Sequence, residues 1–195
     1  MPALALILIW LAALAVLFAW PSLTGSPTVG DDLTRHTVRV ALAYYAAAAW
    51  LMLGLRPADW RADTSRGRFA RWCWTLAWAA FVVHVGVAFH FYHHWSHAEA
   101  VAHVRERSGV GEGVFASYLF TLAWTADVAW WWLSPKSYAG RPGWADRALH
   151  GFMIFMTFAA TVVYEEGTIR WAGAVLCVAL LLRWAACAKR KPVSA

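Results

Sequence analysis

FARWCWTLAWAAFVVHVGVAFHFYHHWSHAEAVAH, residues Phe69 to His103, is the stretch on which the reading of this chain turns. From Phe69 to Phe91 its only charged residue besides histidine is Arg71. At about 1.5 Å of rise per residue, that length of helix crosses a hydrocarbon layer of roughly 30 Å. The second half gathers six of the chain's eight histidines: His84, His90, His93, His94, His97 and His103. Taken as one unbroken helix, Phe69 to His103 is over ~45 Å long. It is therefore predicted to project past the membrane surface and carry the histidines to its edge. At about 100° per residue, His90, His93, His94 and His97 share an arc of roughly 100°, while His84 faces elsewhere. Neutral imidazole is the commonest metal ligand, and rings at i, i+3, i+4 and i+7 can aim at one centre. The arc predicts a bound transition metal (iron, copper or zinc) or haem b.

The rest of the chain sets that helix in a membrane. Of 195 residues, 61% are hydrophobic and only 14% charged, more apolar surface than a soluble domain of this size buries. Apolar windows recur at residues 3–20, 37–55, 69–95, 114–133, 147–164 and 170–188, without the period-2 alternation of a membrane barrel. The expectation is an all-α, polytopic six-helix transmembrane bundle forming one domain over residues 1–195. The first window reads as a retained span, since nothing basic precedes it and no small-residue cleavage site follows. With six spans, twelve of the seventeen Lys and Arg residues fall on one side, Lys189, Arg190 and Lys191 among them. That side is the cytoplasm, so both termini are cytoplasmic and the histidine cluster faces the periplasm of a bacterial-type inner membrane. The basic balance is then a topological signal, and no basic patch interleaved with stacking aromatics points to nucleic acid. Trp20, Trp95 and Trp171 near one boundary and Trp72, Trp74, Trp130, Trp131, Trp132, Trp144 and Trp184 near the other suit interfacial belts, whereas Trp50, Trp78 and Trp124 read as packing. Cys73, Cys177 and Cys187 lack CxxC spacing and read as reduced packing residues.

Residues on other spans extend the candidate site. Span two, with Thr34 or Asp32 as its cap, starts beside His36, on the outer side with the cluster, where it can add a ligand. Ala46 to Ala49 on the same span permit close helix approach. Glu165, at the outer end of span five, can supply an oxygen ligand or fix an imidazole tautomer. Asp127 lies inside span four, where an unpaired carboxylate costs several kcal/mol. Together with His84 near mid-membrane and His150 one turn inside span five, it forms a ladder of titratable groups suited to moving a proton or metal ion. Asp127 and His84 are the candidate catalytic residues. The segment RPADWRADTSRGRFAR reads as a solvated inner loop, and GVGEG as a flexible connection, since no Lys-Ser/Thr follows it.

Three short resemblances add expectations. His90-Phe-Tyr-His93-His94 fits HxxHH and is similar to one histidine box of membrane fatty-acid desaturases and hydroxylases, whose boxes hold a di-iron centre. It covers five residues, and no second box stands outside this helix. His84 and His97 have a spacing that resembles two-haem cytochromes of the b type. Depth provides a partner for His97, in His36, but none for His84, which leaves a single haem held by His36 and a cluster histidine. WTADVAWWWL looks like a helix of oxidase subunit III, which implies a non-catalytic subunit of a larger respiratory-type assembly. No GxSxG hydrolase elbow occurs. The leading expectation is a membrane metal- or haem-binding protein acting in redox chemistry or electron transfer, possible partners being the bilayer, a redox partner or lipid-soluble substrate, and further subunits.

Overall fold

The computed structural model describes residues 2–188, all helix and connecting turns, with no strand among them. The order is α1 (Pro2–Thr24), α2 (Val29–Met52), α3 (Pro57–Trp60), α4 (Ser65–Phe91), α5 (His97–Ser108), α6 (Gly113–Leu133), α7 (Pro135–Ala139), α8 (Gly143–Phe158) and α9 (Gly167–Ala188). A single π-turn, Ala159–Val163, prolongs α8. Three helices, Ala3–Thr24, Ser65–Phe91 and Gly167–Cys187, are long and apolar enough to cross a membrane. The basic end Lys189, Arg190 and Lys191 lies outside the described residues.

Large apolar side chains face outward. None of the most apolar window of α1 is buried, and Leu23 and Leu133 are 79% and 86% exposed. Helices satisfy their own backbone hydrogen bonds and shed apolar side chains into lipid at no cost, so an exterior of this kind suits a bilayer and not water. The interior is aromatic at its centre: Tyr45, Trp74, Trp124, Trp131 and Tyr138 form one buried cluster with Ala48, Ala77 and Met153. α2 runs along α4 in the most extensive helix pairing of the bundle. Ala48 on α2 and Ala70, Ala77 and Ala80 on α4 are wholly buried, the small residues that let backbones approach.

The long third helix expected from the sequence is broken. α4 ends at Phe91, and His94 and Trp95 adopt the left-handed region at φ 44° and 60°. The amide of Trp95 reaches back to the carbonyl of Phe89 at 3.1 Å, which satisfies an acceptor that the helix end leaves free. Ser96 then caps a new helix, its hydroxyl accepting from the amide of Glu99 at 3.3 Å. Two further expectations change. α2 begins at Val29, before Thr34, with Asp31 and Asp32 in a first turn whose free N–H groups favour negative charge. The loop between α2 and α4, expected to be solvated, is built around a buried carboxylate: Asp59 accepts from the Arg56 amide at 2.8 Å and the Thr64 hydroxyl at 2.6 Å, and rests its carbonyl on Gly67, where a side chain would collide.

Candidate ligand cavity

The break in the third helix decides where the histidines go. His90 and His94 are exposed, the first with its ring edge-on to Phe91, the second with Nδ1 2.7 Å from Glu99 Oε2. His97, now on α5, places Nδ1 3.0 Å from the hydroxyl of Tyr118 on α6. His93 turns the other way and meets His103, ring centroids 5.2 Å apart. His36 pairs with Arg39 on its own helix, Nδ1 to Nη1 3.2 Å. The arc of four rings therefore does not form, and among the described residues no group of three His, Cys, Asp or Glu side chains is gathered for a metal ion. The four rings share a face only on a continuous helix, and the chain ceases to be one within the motif.

What the structure builds instead is a cavity of about 360 Å³ between α2, α4, α5, α6, the π-turn and the start of α9. Its walls are mainly apolar, from Val38, Leu42, Phe81 and Phe89 to Phe120 and Met156, with His84, His93, Tyr45, Trp124 and Thr161 among the polar lining and Glu165 also on its wall. Size and lining both match the usual site for a small lipophilic ligand, apolar with a few placed polar groups.

Two of those polar groups are of opposite kind. His84 Nδ1 lies 3.0 Å from the carbonyl oxygen of Thr34. A carbonyl can only accept, so Nδ1 carries the proton and Nε2 holds a lone pair with no hydrogen-bond partner among the described residues. The same arrangement, Nδ1–H to a backbone carbonyl and Nε2 free, is how proteins hold an imidazole for ligation or proton acceptance. Trp124, 2% exposed, supplies the complement: its indole N–H is buried without an acceptor. A buried donor left unmade costs about 1–3 kcal/mol, a cost carried here by a residue whose ring also lines the cavity. At the outer end, burial and then the neighbouring His103 push the His93 imidazole below its ordinary value, and its Nδ1 has no partner. Tyr92 beside it donates to Asp31 in the first turn of α2, and burial with that carboxylate pushes its phenol up to about 12. This tie pins the end of α4 to the start of α2.

Asp127 belongs to a separate knot. It is 3% exposed, and its Oδ2 accepts from Trp74 Nε1 at 2.8 Å and the Tyr138 hydroxyl at 3.0 Å, while Oδ1 is buried with no partner. The stack of Phe81 on Trp124 and of Trp124 on Trp74, centroids 5.6 and 4.9 Å apart, stands between this carboxylate and His84. His150 is turned to Asp146 in the first turn of α8 and to Arg141 just before that helix, at 3.4 Å from each. His84, Asp127 and His150 are thus not joined by hydrogen bonds among the described residues.

Of the cavity lining, the sequence singles out His84 as a candidate catalytic residue and His93 and Glu165 as candidate ligands, but neither Trp124 nor the carbonyl of Thr34, nor Trp74 and Tyr138 as partners of Asp127. An indole N–H inside an apolar span calls for an acceptor, and that requirement is the available signal for Trp124. Compared with family models, curated proteins and solved structures, the chain matches none of them.

Proposed function

We propose that this chain is a six-span inner-membrane protein, both termini cytoplasmic, that binds a lipid-soluble ligand bearing hydroxyl or carbonyl oxygen, of the quinol or sterol kind, in the cavity lined by His84 and Trp124. The observation that carries the reading is an imidazole Nε2 without a protein partner on an otherwise apolar cavity wall. A hydroxyl of the ligand donates to Nε2, and the hydrocarbon remainder fills the space beside Phe81, Phe120 and the Trp124 ring. The redox role expected from the sequence takes this form, with His84 as proton acceptor for the bound hydroxyl.

A second reading has one observation in its favour: the same free Nε2, oriented through Thr34, suits a transition metal or a haem iron. A single preparation separates the two. Protein purified in mild detergent is extracted into organic solvent for mass spectrometry, and its absorption spectrum and metal content are recorded in parallel. Near one equivalent of a lipophilic oxygen-bearing compound, lost in His84→Leu, is the expected result. A Soret band or stoichiometric metal lost in the same variant selects the second reading. Neither ligand nor metal in the unmodified protein rejects both.

A further inference from the structure

At the opposite end of the bundle two arginines meet without an acid between them. Gly54 follows α2, and a Cβ built on it would lie 2.6 Å from Nη2 of Arg66 and 2.6 Å from Nη2 of Arg183. The two guanidinium nitrogens are therefore no farther apart than twice that distance, although one side chain comes from the first turn of α4 and the other from the end of α9. Like charges this close repel unless an anion sits with them. Among the described residues neither has a carboxylate within ion-pairing reach. Of the acids of the neighbouring loop, Asp59 is bonded to the Arg56 amide and Thr64 and meets the charge of Arg66 only beyond ion-pairing distance, and Asp63 pairs with Arg61 at 3.7 Å. Arg183 is also held in place, its guanidinium 4.9 Å from the centroid of Trp50, and its Nε is buried with no acceptor. Donors are thus presented in pairs where the chain offers nothing to accept them.

We infer that Arg66 and Arg183, whose guanidinium tips meet beside Gly54, form a binding site for a phosphate-bearing anion, supplied by the headgroup of an acidic phospholipid. A guanidinium offers two parallel N–H groups matched to phosphate oxygens, and two guanidiniums from different helices enclose one phosphate from both sides. Gly54 is what lets the two tips come together: any side chain there would displace them. On the topology proposed above the site lies at the cytoplasmic headgroup level, where basic pockets between spans take acidic lipids. It is independent of the cavity and of whatever ligand the cavity holds.

Native mass spectrometry of the full-length protein in detergent tests it, with phosphatidylglycerol, phosphatidylcholine and inorganic phosphate as three separate probes. Phosphatidylglycerol is expected to bind at least tenfold more tightly than phosphatidylcholine. Arg66→Gln and Arg183→Gln should each weaken it at least fivefold, and Arg35→Gln at the other end of the bundle should leave it unchanged. Arg66 is exposed, so Arg66→Gln folds irrespective of the outcome, and an unaltered melting curve verifies this. If inorganic phosphate displaces the lipid and is itself lost in both variants, the anion site stands and its natural occupant is free phosphate. Equal binding of the two phospholipids, or full phosphatidylglycerol affinity in the Arg66→Gln/Arg183→Gln double variant, overturns the inference.

Discussion

His84 works through the division of labour between its nitrogens, and Asp127 through the same economy applied to a carboxylate. One oxygen of Asp127 holds both Trp74 and Tyr138, so its replacement acts on three side chains. Asp127→Leu leaves an indole N–H and a phenol O–H buried without an acceptor and is expected to lower stability by about 2–4 kcal/mol. Asp127→Asn keeps an acceptor in place and should cost about 1 kcal/mol or less. Thermal melts of the two variants in detergent check the difference, and equal losses would show that the knot is not held through this oxygen. Asp146 predicts a pH effect. Its carboxyl is bonded to His150 and Arg141, which hold it well below the usual carboxylate range despite partial burial. A folded-state value below the unfolded one, about 3.9, gives stabilisation that is complete above that value and fades as the pH falls beneath it. The melting temperature should therefore drop below about pH 4, and less steeply in Asp146→Asn. Of these residues the sequence disclosed the chemistry-bearing ones, His84 and Asp127, because polar groups in apolar spans are conspicuous. Their partners stayed hidden because Thr34 contributes a backbone carbonyl, and Trp74 and Tyr138 are ordinary aromatics until the helices meet.

Helices were legible from apolar length, and the helix boundaries much less so. Nothing in HFYHHWSH is a conventional breaker: it contains neither proline nor glycine, and left-handed His94 and Trp95 are conformations that such residues adopt only when surroundings impose them. The pattern Ser96-His97-Ala98-Glu99 was nevertheless a readable start signal, the S-x-x-E of a capping box. Given that signal, α5 is a separate amphipathic element lying over the cavity, with Ala100 and Val104 turned to its wall and Arg105 and Arg107 exposed. Ser96→Ala should remove the cap at a cost of about 1 kcal/mol and speed amide hydrogen exchange through the first turn of α5. Spin labels at positions 82 and 102 report the bend directly: a separation shorter than a straight helix allows is expected, and the full straight-helix distance would restore the original arc of histidines.

For the molecule as a whole, composition sufficed for an all-helical chain with an apolar exterior, whereas the number of spans depends on helices that are amphipathic enough to carry the interior. α2 carries charges in its first turns and α8 has 16 residues, and among the described residues three helices are long and apolar enough to cross a membrane. Single cysteines placed at Ser108 and Ser137 in a cysteine-free background should be labelled by impermeant maleimide from opposite sides of the membrane; labelling of both from one side would refute six spans. The π-turn at Ala159–Val163 bears on this arrangement too. Its wide loop, closed by the Tyr164 amide on the Ala159 carbonyl at 3.1 Å, contains one residue more than an α-turn and carries Ala160 and Thr161 on the cavity wall. Deleting that surplus residue would let the turn close with ordinary α-pitch, keeping the direction of α8 while withdrawing one residue from the wall that Ala160 and Thr161 form. The width of the chamber at this wall is thus set by one residue of chain length, which a single deletion would take up.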